Sequence, residues 1–195
     1  SVRDHRRTVV RSGHTIGKTC SAAAIALYFH YNFYPSIVIT TAPTGRQNQF
    51  LLWGEIRRLH RNLRGAILGK GVHAMGDRLY ENMFLQSEEE PKKEWYMVGF
   101  STDDPNAFQG FHKENILFIV DEGAGVSERI YEAIEGSLNT ENSRILAIGN
   151  PTDPQSYFGK LFLTREGADW NKLHIDCEQS PNVLAGKNVI PQLCS

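Results

Sequence analysis

The chain has 195 residues, 41% of them hydrophobic and 22% charged, enough for one sizeable core and ordinary for a globular domain. A formal net charge of -1 excludes a uniformly cationic nucleic-acid binder, so any DNA contact must come from a local basic patch. The longest uninterrupted apolar run, Ala22 to Phe29, is too short to cross a bilayer, and the opening Ser-Val-Arg-Asp-His-Arg-Arg lacks the apolar core of a signal peptide.

Short β-branched runs alternate with longer helical stretches, which predicts an α/β fold with a mainly parallel sheet. The first strand is expected at Thr8 to Arg11, followed by a Gly-containing loop and a helix from about Lys18 to His30. A second strand, Ser36 to Thr41, is ended by Ala42-Pro43, because proline cannot donate to a ladder. The spacing of Phe50, Leu51, Trp53, Ile56, Leu59 and Leu63 predicts a helix over roughly Arg46 to Leu63. Arg78 to Leu85 and Glu94 to Phe100 read as two antiparallel strands, with Glu88-Glu89-Glu90 and Pro91-Lys92-Lys93 at a solvated hairpin tip. Ile116 to Val120 is the most apolar strand and is expected at the centre, buried on both faces. A helix over Ser127 to Leu138, with Ser127 as N-cap, precedes strands at Arg144 to Ile148 and Lys172 to Asp176. The tail after Pro181 shows no periodicity. Both ends read as cut, so a fragment of a longer protein is expected, with a domain over 1–180 and a tail or linker over 181–195. Cys20, Cys177 and Cys194 are dispersed without a Cys-x-x-Cys pair, which reads as reduced thiols in a cytosol-like compartment.

Open parallel sheets bind ligands at the carboxyl ends of their strands, and three motifs fall there. Ser12-Gly13-His14-Thr15-Ile16-Gly17-Lys18-Thr19 lies between a strand and a helix. A phosphate-binding loop needs curled backbone N–H groups, a lysine for the β/γ-phosphates and a hydroxyl for Mg²⁺, and Gly17, Lys18 and Thr19 fit those roles. Ser12 stands where the standard pattern has glycine. A chance Gly-Lys-Thr in an ordinary βα loop is the alternative. The second motif, Ile116-Leu117-Phe118-Ile119-Val120-Asp121-Glu122, ends an apolar strand in two carboxylates: Asp121 suits the metal, and Glu122 the base that activates water. Two solvated acids at a strand end would look the same. The third, Ile148-Gly149-Asn150-Pro151, offers an amide that would touch the γ-phosphate, or is a plain turn.

Together these residues resemble the large terminase subunit of tailed bacteriophages. Arg11 to Thr19 is similar to that family's deviant Walker A loop, and Thr41-Ala42-Pro43-Thr44-Gly45-Arg46-Gln47 to the segment after its second strand. Phe108-Gln109-Gly110 with Asp121-Glu122 resembles its Walker B region, and Gly149-Asn150-Pro151 with Tyr157-Phe158-Gly159 its coupling motif. The match runs from Arg11 to Asn182. It implies an ASCE-type P-loop NTPase fold, with a mainly parallel central sheet flanked by helices. It also implies an ATPase using ATP and Mg²⁺ to move double-stranded DNA into a procapsid. Residues 12–20, Ser12, Gly13, His14, Thr15, Ile16, Gly17, Lys18, Thr19 and Cys20, would hold the nucleotide, and Thr19 and Asp121 the metal. Lys18, Glu122, Asn150 and an arginine would serve catalysis. The implied partners are the portal, the small terminase subunit and further copies of the chain in a ring, commonly a pentamer, in the host cytoplasm.

Many members carry an arginine about four positions before the Walker A lysine, where this chain has His14. A mostly neutral ring is a poor substitute for a permanent cation. Arg46 in cis, or an arginine from a neighbouring subunit, would supply the missing charge. Members usually continue into a ribonuclease-H-like nuclease, which looks absent; Asp103-Asp104 read as a turn, and Asp176 and Glu178 as strand-end acids. The densest basic stretch is Arg57, Arg58, His60, Arg61, Arg64 and Lys70, suited to phosphate contacts on a duplex or to a solvated face. Arg3, Arg6, Arg7 and Arg11 form a weaker cluster. A helicase of the same superclass would need a second motor domain, and a non-catalytic ring-assembly module is the remaining alternative.

Overall fold

The computed structural model describes residues 2–68, 77–80, 83–87, 94–191 and 193. Strand β6 (Asn115–Asp121) is buried at every position and lies inside the sheet. Its side chains alternate between two cores, as strand geometry requires. Ile116, Phe118 and Val120 pack on one face with Ile130, Tyr131, Ile134 and Phe158. Leu117 and Ile119 pack on the other with Ala22, Ala26, Trp53 and Ile56. An unbroken apolar run therefore marks a strand covered by helices on both sides.

The sheet has eight strands in the order β3-β4-β5-β2-β6-β7-β1-β8. The strands are β1 (Arg7–Ser12), β2 (Ser36–Thr41), β3 (Asp77–Tyr80), β4 (Phe84–Ser87), β5 (Tyr96–Gly99), β7 (Asn142–Gly149) and β8 (Asn171–Ile175). All pairings from β5 through β8 are parallel. Strands β3 and β4 add an antiparallel edge. The expected single strand over Arg78 to Leu85 is instead two strands. Met83, at φ 52°, takes a left-handed conformation that a strand cannot contain, just before β4. The predicted acidic hairpin tip, together with Lys70 and Cys194, lies outside the described residues.

Helix α1 (Lys18–Asn32) follows the loop after β1. After β2 the chain forms α2 (Gly45–Gln47), a π-helical turn (Asn48–Leu52) and α3 (Trp53–Leu68). The π turn shifts the helix face by about a residue. Asn48, Leu52, Trp53 and Ile56 thereby turn inward, while Phe50 is 63% and Leu51 50% exposed, contrary to their expected place on the apolar face. A buried polar knot fixes this phase. Asn48 Nδ2 donates to the carbonyls of Thr40 (2.9 Å) and Phe100 (3.2 Å), and Thr40 Oγ1 donates to Asn48 Oδ1 (3.0 Å). Trp53 Nε1 donates to Thr40 Oγ1 at 2.8 Å.

Ser127 is the N-cap of α4 (Glu128–Gly136), as expected, but makes no side-chain cap hydrogen bond. Two short helices carry no periodic signal: α5 (Tyr157–Leu163) and α6 (Pro181–Ala185). Asn182 organises the residues beyond α6: its Oδ1 accepts from the N–H groups of Val189 and Ile190, both at 2.8 Å, and its Nδ2 donates to the Ile190 carbonyl at 2.9 Å. Among the described residues no helix is long and apolar enough to cross a membrane.

Gly99 tests the knot. A Cβ there would sit 2.2 Å from Trp53 Nε1 and 2.8 Å from Thr40 Oγ1, and Trp53 is fully buried. Gly99→Ala is expected to lower stability by about 1–3 kcal/mol. Gly54→Ala, inside α3 with nothing within 4 Å of the new methyl, is expected to raise it by about 0.5–1 kcal/mol. Urea denaturation of both variants checks the contrast; equal effects would remove the tight contact as the cause.

Candidate functional site

The register of three neighbouring strands brings the motifs together. Strand β7 pairs with β1 through Val10↔Ile148 and Arg11↔Gly149, and with β6 through Asp121↔Ile148. Ser12, Glu122 and Asn150 therefore leave the sheet at one edge, the carboxyl end of the parallel strands. Ser12 still belongs to β1 and pairs with Ile175. It is extended backbone there, so the absence of glycine at this position carries no conformational cost.

Gly13 is closely approached from the C-terminal side: a Cβ there would lie 1.9 Å from Cys177 Sγ, which would have to turn aside. Beyond Gly13 the loop turns through two left-handed residues, Thr15 at φ 58° and Gly17 at φ 82°, the second being the N-cap of α1. Such alternation curls successive N–H groups toward one point, the geometry of an anion nest. Lys18, 7% exposed, donates to the Gly13 carbonyl at 2.7 Å and to Asn150 Oδ1 at 2.6 Å. Asn150, 6% exposed, also reaches the His14 ring, its Nδ2 lying 2.9 Å from Nε2 and 3.0 Å from Nδ1.

A cleft of about 970 Å³ opens in front of this loop. His14, Thr15, Ile16, Gly17, Lys18, Thr19, Cys20 and Glu122 line it. Ser12, Gly13, Asp121 and Asn150 do not line it; Ser12, Asp121 and Asn150 are buried. Arg46 is exposed in an adjoining groove with Gln47, Phe50 and Leu51; the last two also line the cleft, but Arg46 itself does not. Arg58 lines the cleft instead. Its guanidinium donates to Glu55 Oε2 at 3.0 and 2.6 Å and approaches Cys20 Sγ at 3.5 Å. Helix α3 places Arg58, still exposed, at the cleft, whereas counting basic residues along the sequence groups it only with its neighbours in the basic stretch. The tail residues Ile190, Pro191 and Leu193 form another wall that no sequence signal announces.

The rest of the basic stretch divides. His60 is 2% exposed and stacks on Tyr31, so it belongs to the core rather than to a basic surface. Arg57 donates to the Gln49 carbonyl at 2.9 Å, Arg61 is exposed, and the Arg64 side chain lies outside the described residues. Near the start, Arg7 pairs with Glu135 at 3.2 Å, Arg6 donates to the Thr140 carbonyl, and Arg11 lies over the Phe162 ring. Those three arginines bind their own fold. Asp104 caps a short helical turn by accepting from Asn106 N–H, and Asp176 likewise from Glu178 N–H, which gives both acids structural work.

Asp121, 1% exposed, sits behind the cleft. Burial, and then the neighbouring Glu122 charge, push its carboxyl from 3.8 up to about 6; the Glu122 N–H, donating to Oδ1 at 3.0 Å, and Lys18 pull the other way. Glu122 itself is left-handed, at φ 49° and ψ 47°. That conformation costs a non-glycine residue about 1 kcal/mol. It turns the chain sharply, so that the carboxylate after Asp121 reaches the cleft.

Among the described residues no cluster of three or more His, Cys, Asp or Glu stands ready to hold a metal. One buried carboxylate whose ionisation is opposed by its surroundings, with the Thr19 hydroxyl, suits a Mg²⁺ that brings phosphate oxygens and water as its other ligands. Between pH 3.8 and about 6 the folded protein holds a proton on Asp121 that the unfolded chain has released. Stability therefore falls as pH rises through that window, and the cost is complete above it. Asp121→Asn is expected to stabilise the metal-free protein at pH 8 by up to about 3 kcal/mol, with the gain shrinking toward pH 4. Denaturation at both pH values measures it; an equal gain at both would show that ionisation is not the cause.

No family model matches the chain. A protein of Enterobacteria phage P7 described as "Probable terminase, large subunit" is 31% identical over 153 residues, which is 77% of this chain and 30% of that protein. The chain thus spans less than a third of the length of that curated relative. The large terminase ATPase domain of Thermus phage P74-26 superposes with a TM-score of 0.67 at 20% identity, over 87% of this chain and 75% of that one. The large terminase of a second, thermophilic bacteriophage, in complex with ADP, superposes with a TM-score of 0.64 at 16% identity, over 95% of this chain and 44% of that one. These likenesses establish the P-loop NTPase fold with its mainly parallel sheet. By sequence the chain belongs to the large terminase subunits of bacteriophages, and its fold is that of the ATPase domain of the Thermus phage terminase.

Proposed function

We propose that this chain is the ATP-hydrolysing motor part of a large terminase subunit, and that it drives double-stranded DNA into a procapsid in the host cytoplasm. The observation that carries this reading is the meeting of Lys18, Asn150 and the Asp121–Glu122 pair at one edge of the sheet. The thermophilic phage terminase's complexes with ADP and with ATP-gamma-S support the binding of a nucleotide by this fold.

In this reading the N–H groups of residues 13–19 wrap the phosphates, and the N-terminus of α1 adds its positive dipole end. Lys18 neutralises the β- and γ-phosphates. Thr19 and Asp121 would hold Mg²⁺, which when bound would offset charge on the phosphates. Glu122, at the cleft wall, orients the attacking water and accepts its proton. Asn150, hydrogen-bonded to Lys18 behind the cleft, registers the γ-phosphate through that lysine and passes its loss to Pro151 and α5. Arg46, exposed beside the cleft, would supply the missing charge to its own site, or an arginine of a neighbouring copy would do so. A ring of copies on the portal, with the small subunit delivering DNA, belongs to the same proposal.

Turnover of Mg²⁺-ATP is expected in the wild type, rising per subunit with protein concentration, and falling by about 10²-fold or more in Lys18→Ala and Glu122→Ala. Lys18→Ala should lose nucleotide affinity, while Glu122→Ala keeps it. Well-folded protein that neither binds nor turns over nucleotide would end the ATPase reading.

Duplex binding by the exposed face of α3 has its own signature. Arg61→Ala is expected to weaken binding equally on unrelated sequences and to lower the slope of log K against log salt by about one. An unchanged slope would take α3 out of the DNA path.

A further inference from the structure

His14 occupies a place where a phosphate-contacting cation would be expected, yet its observed contact is with Asn150. Lys18 has three N–H donors and no acceptor, so the side of Asn150 that faces it must be Oδ1. That choice sends Nδ2, which can only donate, toward the His14 ring. Nδ2 is almost equidistant from Nδ1 and Nε2, so it lies over the imidazole rather than in line with either nitrogen, and the ring face receives the amide N–H. The chain of contacts runs His14–Asn150–Lys18, and a second ammonium hydrogen goes to the Gly13 carbonyl at 2.7 Å. One hydrogen remains for the cleft that Lys18 lines.

We propose that His14 is a positioning residue: it fixes the Asn150 carboxamide, and through it aims the Lys18 ammonium at the phosphate site. Arginine in its place could not do this, since a guanidinium has no acceptor for the Asn150 amide. The His14–Asn150 contact joins the phosphate loop directly to the segment after β7, so the two move as one unit. The proposal rests on the nucleotide reading above. It differs from a direct role on phosphate, in which His14 would act independently of Asn150.

A double-mutant cycle separates the two, with Kd for Mg²⁺-ATPγS as the readout and circular dichroism reporting folding. His14→Ala is expected to weaken ATPγS binding by about threefold or more in the wild-type background and to have no further effect in Asn150→Ala. His14→Gln, whose amide oxygen can still accept from Asn150 Nδ2, is expected to restore affinity to within about twofold of the wild type. An equal loss in both backgrounds, or no loss in either, overturns the proposal. So does a His14→Gln variant as weak as His14→Ala. Wild-type protein that fails to bind ATPγS would instead bring down the nucleotide reading itself, before the cycle is read.

Discussion

Strand β7 is hydrogen-bonded to β1 on one side and to β6 on the other, and this double pairing decides where every functional side chain ends up. Because the three strands are parallel, their carboxyl ends share one edge of the sheet. Because Ile148 pairs with both Val10 and Asp121, those ends are level to within a residue. A register slip by one would send each side chain to the opposite face. The continuous burial of β6 forbids the slip, since both of its faces are committed to separate cores. The precision of the site is thus inherited from packing some distance away from it.

Behind the site, backbone approaches backbone too closely for side chains. A Cβ on Gly149 would meet Gly123 N at 2.9 Å, and one on Gly123 would meet Tyr131 Oη at 2.4 Å and the Phe158 ring at 2.8 Å. The Tyr131 hydroxyl donates to the Gly123 carbonyl at 3.1 Å. The turn that carries Glu122, the end of β7 and helix α5 therefore form one dry contact, and Phe158 is fully buried in it. Packed interiors respond to displacement as units rather than by continuous deformation. A shift at Glu122 or Asn150 has a short, stiff route to α5.

The strands that build this site are legible because their sequence period is simple. Ser36–Thr41 reads residue for residue, and the Asp121–Glu122 and Asn150 strand ends fall where the sequence predicts, since apolar β-branched runs ending in polar residues admit few alternatives. What escapes reading depends on contacts far apart in the chain. The inward turn of Asn48 is set by carbonyls of Thr40 and Phe100, and no local pattern distinguishes it from an ordinary helical residue. His60 lies among arginines in sequence but faces Tyr31 across the α1–α3 contact. Helix α5 is capped by Ser156, whose Oγ accepts from Gly159 N at 3.1 Å, but it is too short for helical periodicity to register. The folding of residues 186–191 on Asn182 depends on a single amide with no hydrophobic pattern behind it.

The charge balance of the cleft bears on how such a site would be completed. Among its described lining residues the permanent cations are Lys18 and Arg58, and Arg58 is already matched by Glu55. Glu122 adds negative charge to the same wall, and buried Asp121 adds more once it ionises. The N-terminus of α1 contributes only about half a positive charge. A nucleoside triphosphate would bring several negative charges to a place whose acids already offset its two cations, leaving about half a positive charge from the helix end. Two sources remain for the difference: a divalent ion arriving with the nucleotide, which would also relieve the pressure on Asp121, and a cation from outside this cleft. Were this site to hydrolyse ATP as proposed, it would do so only with whatever supplies the missing charge, and a ring of copies could use that dependence to keep its subunits from firing out of turn.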